Sequence, residues 1–136
     1  MRTFLRALVV IGATFSAAAV AADVYLADAI KSSAYAQSLA ELLKSAGSLP
    51  DWTNELRKPR GNYVGTPVVH VTIAGTHYEL FNACKAHDCG DNRIEVMFAP
   101  KGTKAWGAIL VDGKNVTFLG APSPAQQSAL KSAMQP

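Results

Sequence analysis

The chain has 136 residues, 49% of them hydrophobic and 17% charged, which is one ordinary domain and far from the polar composition of a disordered chain. Thirteen Lys and Arg stand against ten Asp and Glu, but Arg2 and Arg6 precede an apolar run that reads as removable, and without them eleven cations face ten anions. So small a net charge gives no electrostatic case for a nucleic-acid partner, and two cysteines allow at most one internal bridge, so an apolar core and not a disulfide scaffold must hold the fold.

Residues 1–22 have the form of a signal peptide: two early positive charges, an almost uninterrupted apolar run from Ala7 to Val20, and the small-x-small tripeptide Ala19-Val20-Ala21. The run is shorter than the ~20 apolar residues a bilayer-spanning helix needs, and no later stretch is longer. Cleavage is expected after Ala21 or Ala22. That leaves residues 23–136 as a single domain in an oxidising compartment, with a bacterial periplasm as the expected location.

From Val24 to Ala46 the apolar residues Leu26, Ile30, Ala34, Leu39, Leu42, Leu43 and Ala46 recur at three- and four-residue steps, which predicts one long amphipathic helix. Gly47 supplies a left-handed cap and Pro50 prevents continuation. Leu49-Pro50-Asp51-Trp52 and Lys58-Pro59-Arg60-Gly61 then predict an irregular connection holding about one helical turn. From Pro67 the period changes to two. Pro67–Ile73 and Thr76–Asn82 read as a hairpin across Ala74-Gly75. Arg93–Phe98 reads as a strand with Ile94, Val96 and Phe98 buried and a more polar opposite side. Trp106–Val111 and Lys114–Leu119 read as a hairpin whose Asp112-Gly113 turn is type I′. Ser123-Pro124-Ala125-Gln126 opens a last helix with an N-cap hydroxyl, a proline at the first helical position and a glutamine three residues after the cap, and this helix should reach about Met134. The expected fold is α+β: a five-stranded antiparallel sheet between a long N-terminal helix and a short C-terminal one, in three layers.

The specific feature lies between the second and third strands, in Cys84-Lys85-Ala86-His87-Asp88-Cys89. In an exported protein these cysteines should oxidise to each other, closing a six-residue ring worth about 2 kcal/mol on the chain-entropy account. The larger effect is local, because a ring that narrows the free loop's conformations lowers the ordering cost of binding. Zinc held by Cys84, His87 and Cys89 is a competing reading, although no fourth ligand is evident and thiolates are disfavoured in this compartment. A plain structural staple with a solvated histidine is another. Against the staple stands the chemistry enclosed: Lys85, His87 and Asp88 place a cation, a titratable imidazole and a carboxylate on one constrained tip, a natural complement to an acidic cleft.

The run Ala83–Gly90, followed by Arg93-Ile94-Glu95-Val96-Met97-Phe98 and preceded by Leu49-Pro50-Asp51-Trp52, resembles the inhibitor of vertebrate lysozyme (Ivy) family. The resemblance implies a periplasmic, non-enzymatic protein with helices on both faces of an antiparallel sheet. It implies that c-type lysozyme is the partner, blocked by a loop whose histidine hydrogen-bonds the catalytic carboxylates. Carried over by position, His87 is that histidine, Lys85, Ala86 and Asp88 are its flanking contacts, and Cys84 and Cys89 form the bridge. The family's usual loop has proline where this chain has Ala86, which should leave the loop looser and weaken inhibition by about 1 kcal/mol. The alternative is a cell-wall homeostasis factor that binds endogenous lytic transglycosylases; a homodimer is a further candidate assembly. No nucleophile motif, metal-binding helix or phosphate loop is present, so no catalytic residue, metal or cofactor is expected. His70 and His77 are expected as ordinary strand residues, Trp52 and Trp106 as packing residues, and Arg57-Lys58-Pro59-Arg60 as a solvated loop.

Overall fold

The computed structural model describes residues 22–135 and Ala18, so the expected signal segment lies almost wholly outside the described residues. The apolar three- and four-residue spacing after Tyr25 does fold as helix, but in two pieces and not one. Helix α1 is the single turn Leu26–Ala29; the chain breaks at Ile30–Ser32, and α2 runs Ser33–Ser45 with Ser32 in extended conformation at its N-cap. The pattern carries across the break because both pieces bury the same side: Leu26 and Ile30 join Leu39, Leu42 and Leu43 in one core. Gly47, at φ +73°, follows α2 as its left-handed cap residue. A 3₁₀ stretch, Asp51–Arg57, fills the connection and sinks Leu56 into the same core.

The sheet has six strands where the alternation predicted five. They are β1 (Tyr63–Gly65), β2 (Val69–Ile73), β3 (Thr76–Lys85), β4 (Arg93–Phe98), β5 (Ala105–Leu110) and β6 (Thr117–Leu119). The order is β1-β3-β4-β5-β6, with β2 also on the free edge of β3; every pairing is antiparallel. The additional strand, β1, pairs with the far end of β3, Tyr63 opposite Lys85 and Gly65 opposite Ala83, because β3 runs three residues beyond its predicted end. Ala74 (φ +49°) and Gly75 (φ +81°) make the two-residue turn between β2 and β3. Asp112 (φ +50°) and Gly113 (φ +65°) have the expected type I′ signs, and Lys114 N–H donates to Val111 O at 3.0 Å. Strand β6 is shorter than predicted. Two steps lead from Val111 back to Ile109 but three from Lys114 on to its partner Thr117, so the hairpin carries an extra residue, as in a bulge.

Helix α3, Pro124–Met134, begins as the sequence indicated. Gln126 N–H donates to Ser123 Oγ at 3.2 Å, and Ser123 N–H donates to Gln126 Oε1 at 2.9 Å. It covers the sheet face opposite α2, where Leu130 and Met134 pack with Leu80, Met97 and Ala108. The three-layer α+β arrangement is thereby established. The α2 side is sealed by Phe81, Ile94, Val96 and Phe98, and by Tyr35, whose hydroxyl donates to Glu79. Burial and that carboxylate push the Tyr35 phenol up to about 12. Gly102 (φ +69°) lets the Tyr35 ring approach the backbone; a Cβ there would meet the ring at 2.4 Å. Trp52 packs against the α2-side core and Trp106 against the α3-side core, the latter edge-on to Tyr78 at 5.9 Å.

One strand departs from the expected pattern. The supposedly polar side of β4 is buried beyond Arg93: Met97 is 0% exposed and Glu95 1%, because α3 closes over them. Asn82 Nδ2 donates to Glu95 Oε2 at 3.1 Å, but burial outweighs that bond and pushes the carboxyl up to about 7. The folded state therefore binds a proton at Glu95 between its ordinary 4.5 and about 7, where the unfolded chain does not. Stability from this group is greatest below that interval and is lost as pH rises through it, by on the order of 3 kcal/mol. Glu95→Gln keeps the shape and an acceptor for Asn82. Its unfolding free energy should lose this decline between pH 5 and 8 and exceed that of the unaltered protein at pH 8, as measured by denaturant titration at both pH values.

Candidate functional site

Strands β3 and β4 pair in register from Glu79 opposite Phe98 to Cys84 opposite Arg93, so the loop after Lys85 leaves the sheet at a defined place. Cys84, buried at the end of β3, is joined to the exposed Cys89, their Cα atoms 4.9 Å apart. Inside the ring, Asp88 N–H donates to Lys85 O at 3.0 Å and closes a four-residue turn with Ala86 and His87 at its centre. His87, exposed, takes φ +66°, the left-handed conformation that the third position of such a turn requires in its type II form. Proline is favoured one position earlier, at Ala86, whose N–H takes no part in closing the turn. Lys85 N–H donates to Asn92 O at 3.0 Å, tying the two ends of the loop together.

All four residues assigned to the tip are thus adjacent, yet they are not equivalent. Lys85 and His87 face solvent; Ala86 and Asp88 are partly covered. The Asp88 carboxylate is engaged within the protein, accepting from Asn92 Nδ2 at 2.8 Å. Asn92 itself is a residue that the motif did not indicate. It is 3% exposed, and its side chain also reaches the β5–β6 turn: Nδ2 lies 3.3 Å from Asp112 Oδ1, and Oδ1 accepts from Asp112 N–H at 3.2 Å. Gly113 N–H donates to Asp91 O at 2.9 Å, and a Cβ on Gly113 would lie 2.8 Å from Asp91 Oδ1, so glycine lets the two turns touch. On the other side, Arg93 Nη1 donates to Gly90 O at 3.1 Å, bracing the segment just after the ring.

The two sulfurs are bonded to each other, which takes Cys84 and Cys89 out of any thiolate ligand set, and among the described residues no group of three or more His, Cys, Asp and Glu side chains has the geometry to hold a metal. His77 pairs with Thr72 across the hairpin at 2.8 Å between Nδ1 and Oγ1, and His70 faces Glu79 in the register; both lie in strands. Lys58 of the basic stretch pairs with Glu55 at 2.7 Å on the surface. Among the described residues no helix is long and apolar enough to cross a membrane.

A family model described as "Inhibitor of vertebrate lysozyme (Ivy)" matches residues 34–135. A curated protein of Escherichia coli K12 named "Inhibitor of vertebrate lysozyme" is 32% identical over 91 residues, covering 52% of this chain and 54% of its own. One of the same name from Pseudomonas aeruginosa is 32% identical over 66 residues, covering 48% and 40%. An uncharacterized protein of Yersinia pestis is 25% identical over 104 residues, covering 76% and 64%. The chain spans about half the length of the two named relatives. Since the family match takes in α2, the whole sheet, the bridged loop and α3, the chain belongs to the inhibitor of vertebrate lysozyme family.

Proposed function

We propose that this protein is exported to the periplasm and there inhibits c-type lysozyme by inserting the Cys84–Cys89 loop into the active-site cleft, with His87 at its tip and no catalytic residue of its own. One observation carries the reading: His87 stands exposed at the apex of a hydrogen-bonded turn inside a covalent ring, within the span that matches the family. Lysozyme hydrolyses its substrate with two carboxyl groups about 5 to 5.5 Å apart, one kept protonated by an apolar setting. An imidazole has two ring nitrogens, one donor and one acceptor when neutral and two donors when charged, so one side chain can address both groups. Occupying that pair excludes substrate. Lys85, exposed beside the tip, adds long-range attraction toward an acidic cleft.

The ring and turn supply the other requirement, a low ordering cost on binding. Asp88 serves this role better than it serves as a direct contact, because its carboxylate is already holding Asn92. The test is turnover of a c-type lysozyme with the purified domain added, alongside a bacterial lytic transglycosylase as a second target. Lysozyme turnover should fall to zero at micromolar inhibitor; unchanged lysozyme turnover overturns the reading, and inhibition of the transglycosylase alone replaces the target. His87→Gly is the informative variant, since glycine accepts φ +66° without strain and removes the imidazole. It should weaken inhibition by about 2 to 4 kcal/mol, the range for truncating a buried hot-spot side chain, with little change in melting temperature. Ala86→Pro should tighten inhibition roughly fivefold, about 1 kcal/mol, by narrowing the unbound loop. Reduction of the bridge should weaken inhibition while leaving the sheet folded, as judged by far-ultraviolet circular dichroism.

A further inference from the structure

Asn92 uses nearly all of its polar capacity at one point beneath the loop. Its main chain bonds Lys85 through O and Asp88 through N–H, each at 3.0 Å; its side chain bonds Asp88 at 2.8 Å and Asp112 at 3.3 and 3.2 Å. An asparagine amide has two donor hydrogens and a carbonyl acceptor, and here the donors serve two different carboxylates while the acceptor takes a main-chain N–H. Aspartate has the same shape but no donors. It would set a third carboxylate against Asp88 and Asp112.

The disulfide fixes the loop's two feet but not the direction in which its apex leans. That direction is set through Asp88, the residue next to His87, and Asp88 is held by Asn92. Because Asn92 also grips the turn between β5 and β6, the apex is referenced to a part of the sheet two strands from β3. We propose that Asn92 is a positioning residue for the inhibitory loop, and that the Asp112-Gly113 turn is the second support against which it holds the loop in its binding-competent pose. This rests on the proposed inhibitory role of the loop for its consequence in binding, but the positioning itself is measurable without any partner.

Asp112 permits a test that separates hydrogen bonding from backbone strain. At φ +50° glycine is relaxed but offers no side-chain acceptor, whereas asparagine tolerates the conformation and keeps Oδ1. Amide hydrogen exchange at Lys85 and Asp88 should quicken roughly tenfold in Asn92→Ala and severalfold in Asp112→Gly, while Asp112→Asn stays within about twofold of the unaltered protein. The inhibition constant against lysozyme should rise in the same order, and the loss should appear with Asp112→Gly at an unchanged melting temperature, which a purely structural role would not produce. Loop exchange in Asp112→Gly equal to that of the unaltered protein overturns the support from the second turn. Loop exchange unchanged in Asn92→Ala overturns the proposal as a whole. Failure of the unaltered protein to inhibit lysozyme would instead remove the proposed function and leave the exchange measurements to decide the role of Asn92.

Discussion

The register of β3 against β4 governs everything else in this molecule. Both strands are covered on both faces, by α2 with α1 on one side and by α3 on the other. A slip of one residue would turn Ile94, Val96 and Phe98 toward α3 and drive Glu95 into the apolar α2-side core. The same register sets Cys84 opposite Arg93, and so decides where the chain departs from the sheet and which residues can be cross-linked. The position of the loop is thus a consequence of core packing, and the disulfide acts on a hairpin that is already aligned.

That ordering explains the division of labour among the loop residues. A six-residue ring contributes modestly to global stability, about 2 kcal/mol on the chain-entropy account. Its effect is concentrated on the few residues it encloses, where the left-handed His87 and the Lys85–Asp88 hydrogen bond define an apex. Within the ring, exposed charge is left to Lys85, while the Asp88 carboxylate and one Arg93 Nη group are spent on bracing. The surface that a partner would meet is therefore sparse in side chains and strongly supported from behind.

What could be seen in the sequence was whatever is encoded locally. The capping pattern Ser123-Pro124-Ala125-Gln126, the Asp112-Gly113 turn and the extent of β4 all depend on neighbours along the chain, and all appear where they were expected. The cysteine-bracketed run was equally legible, because its residue types are unusual at that spacing. The break between α1 and α2 was hidden because the two pieces share one buried side, so the apolar period runs through it. Strand β1 had no signature: three residues between glycines and prolines become a strand only because β3 is long enough to offer them a partner. Glu95 looked like a solvent-facing residue because alternation reports one covered face, and the second cover comes from a helix thirty residues later. Asn92 was invisible as a hub, since its partner Asp112 reaches it only through the pairing of β4 with β5.

The ladder of β3 and β4 is fastened at both ends by different chemistry. At one end stand the covalent link and the amide of Asn92; at the other, Glu79 accepts from Tyr35 of α2, whose ring stacks at a tilt on Phe98 with centroids 4.9 Å apart. A hairpin clamped in this way behaves as a short beam with no free end. A load applied at His87 is shared between the helix on one side and the neighbouring strands, so the tip can be pressed into a narrow opening without the two strands shearing past each other.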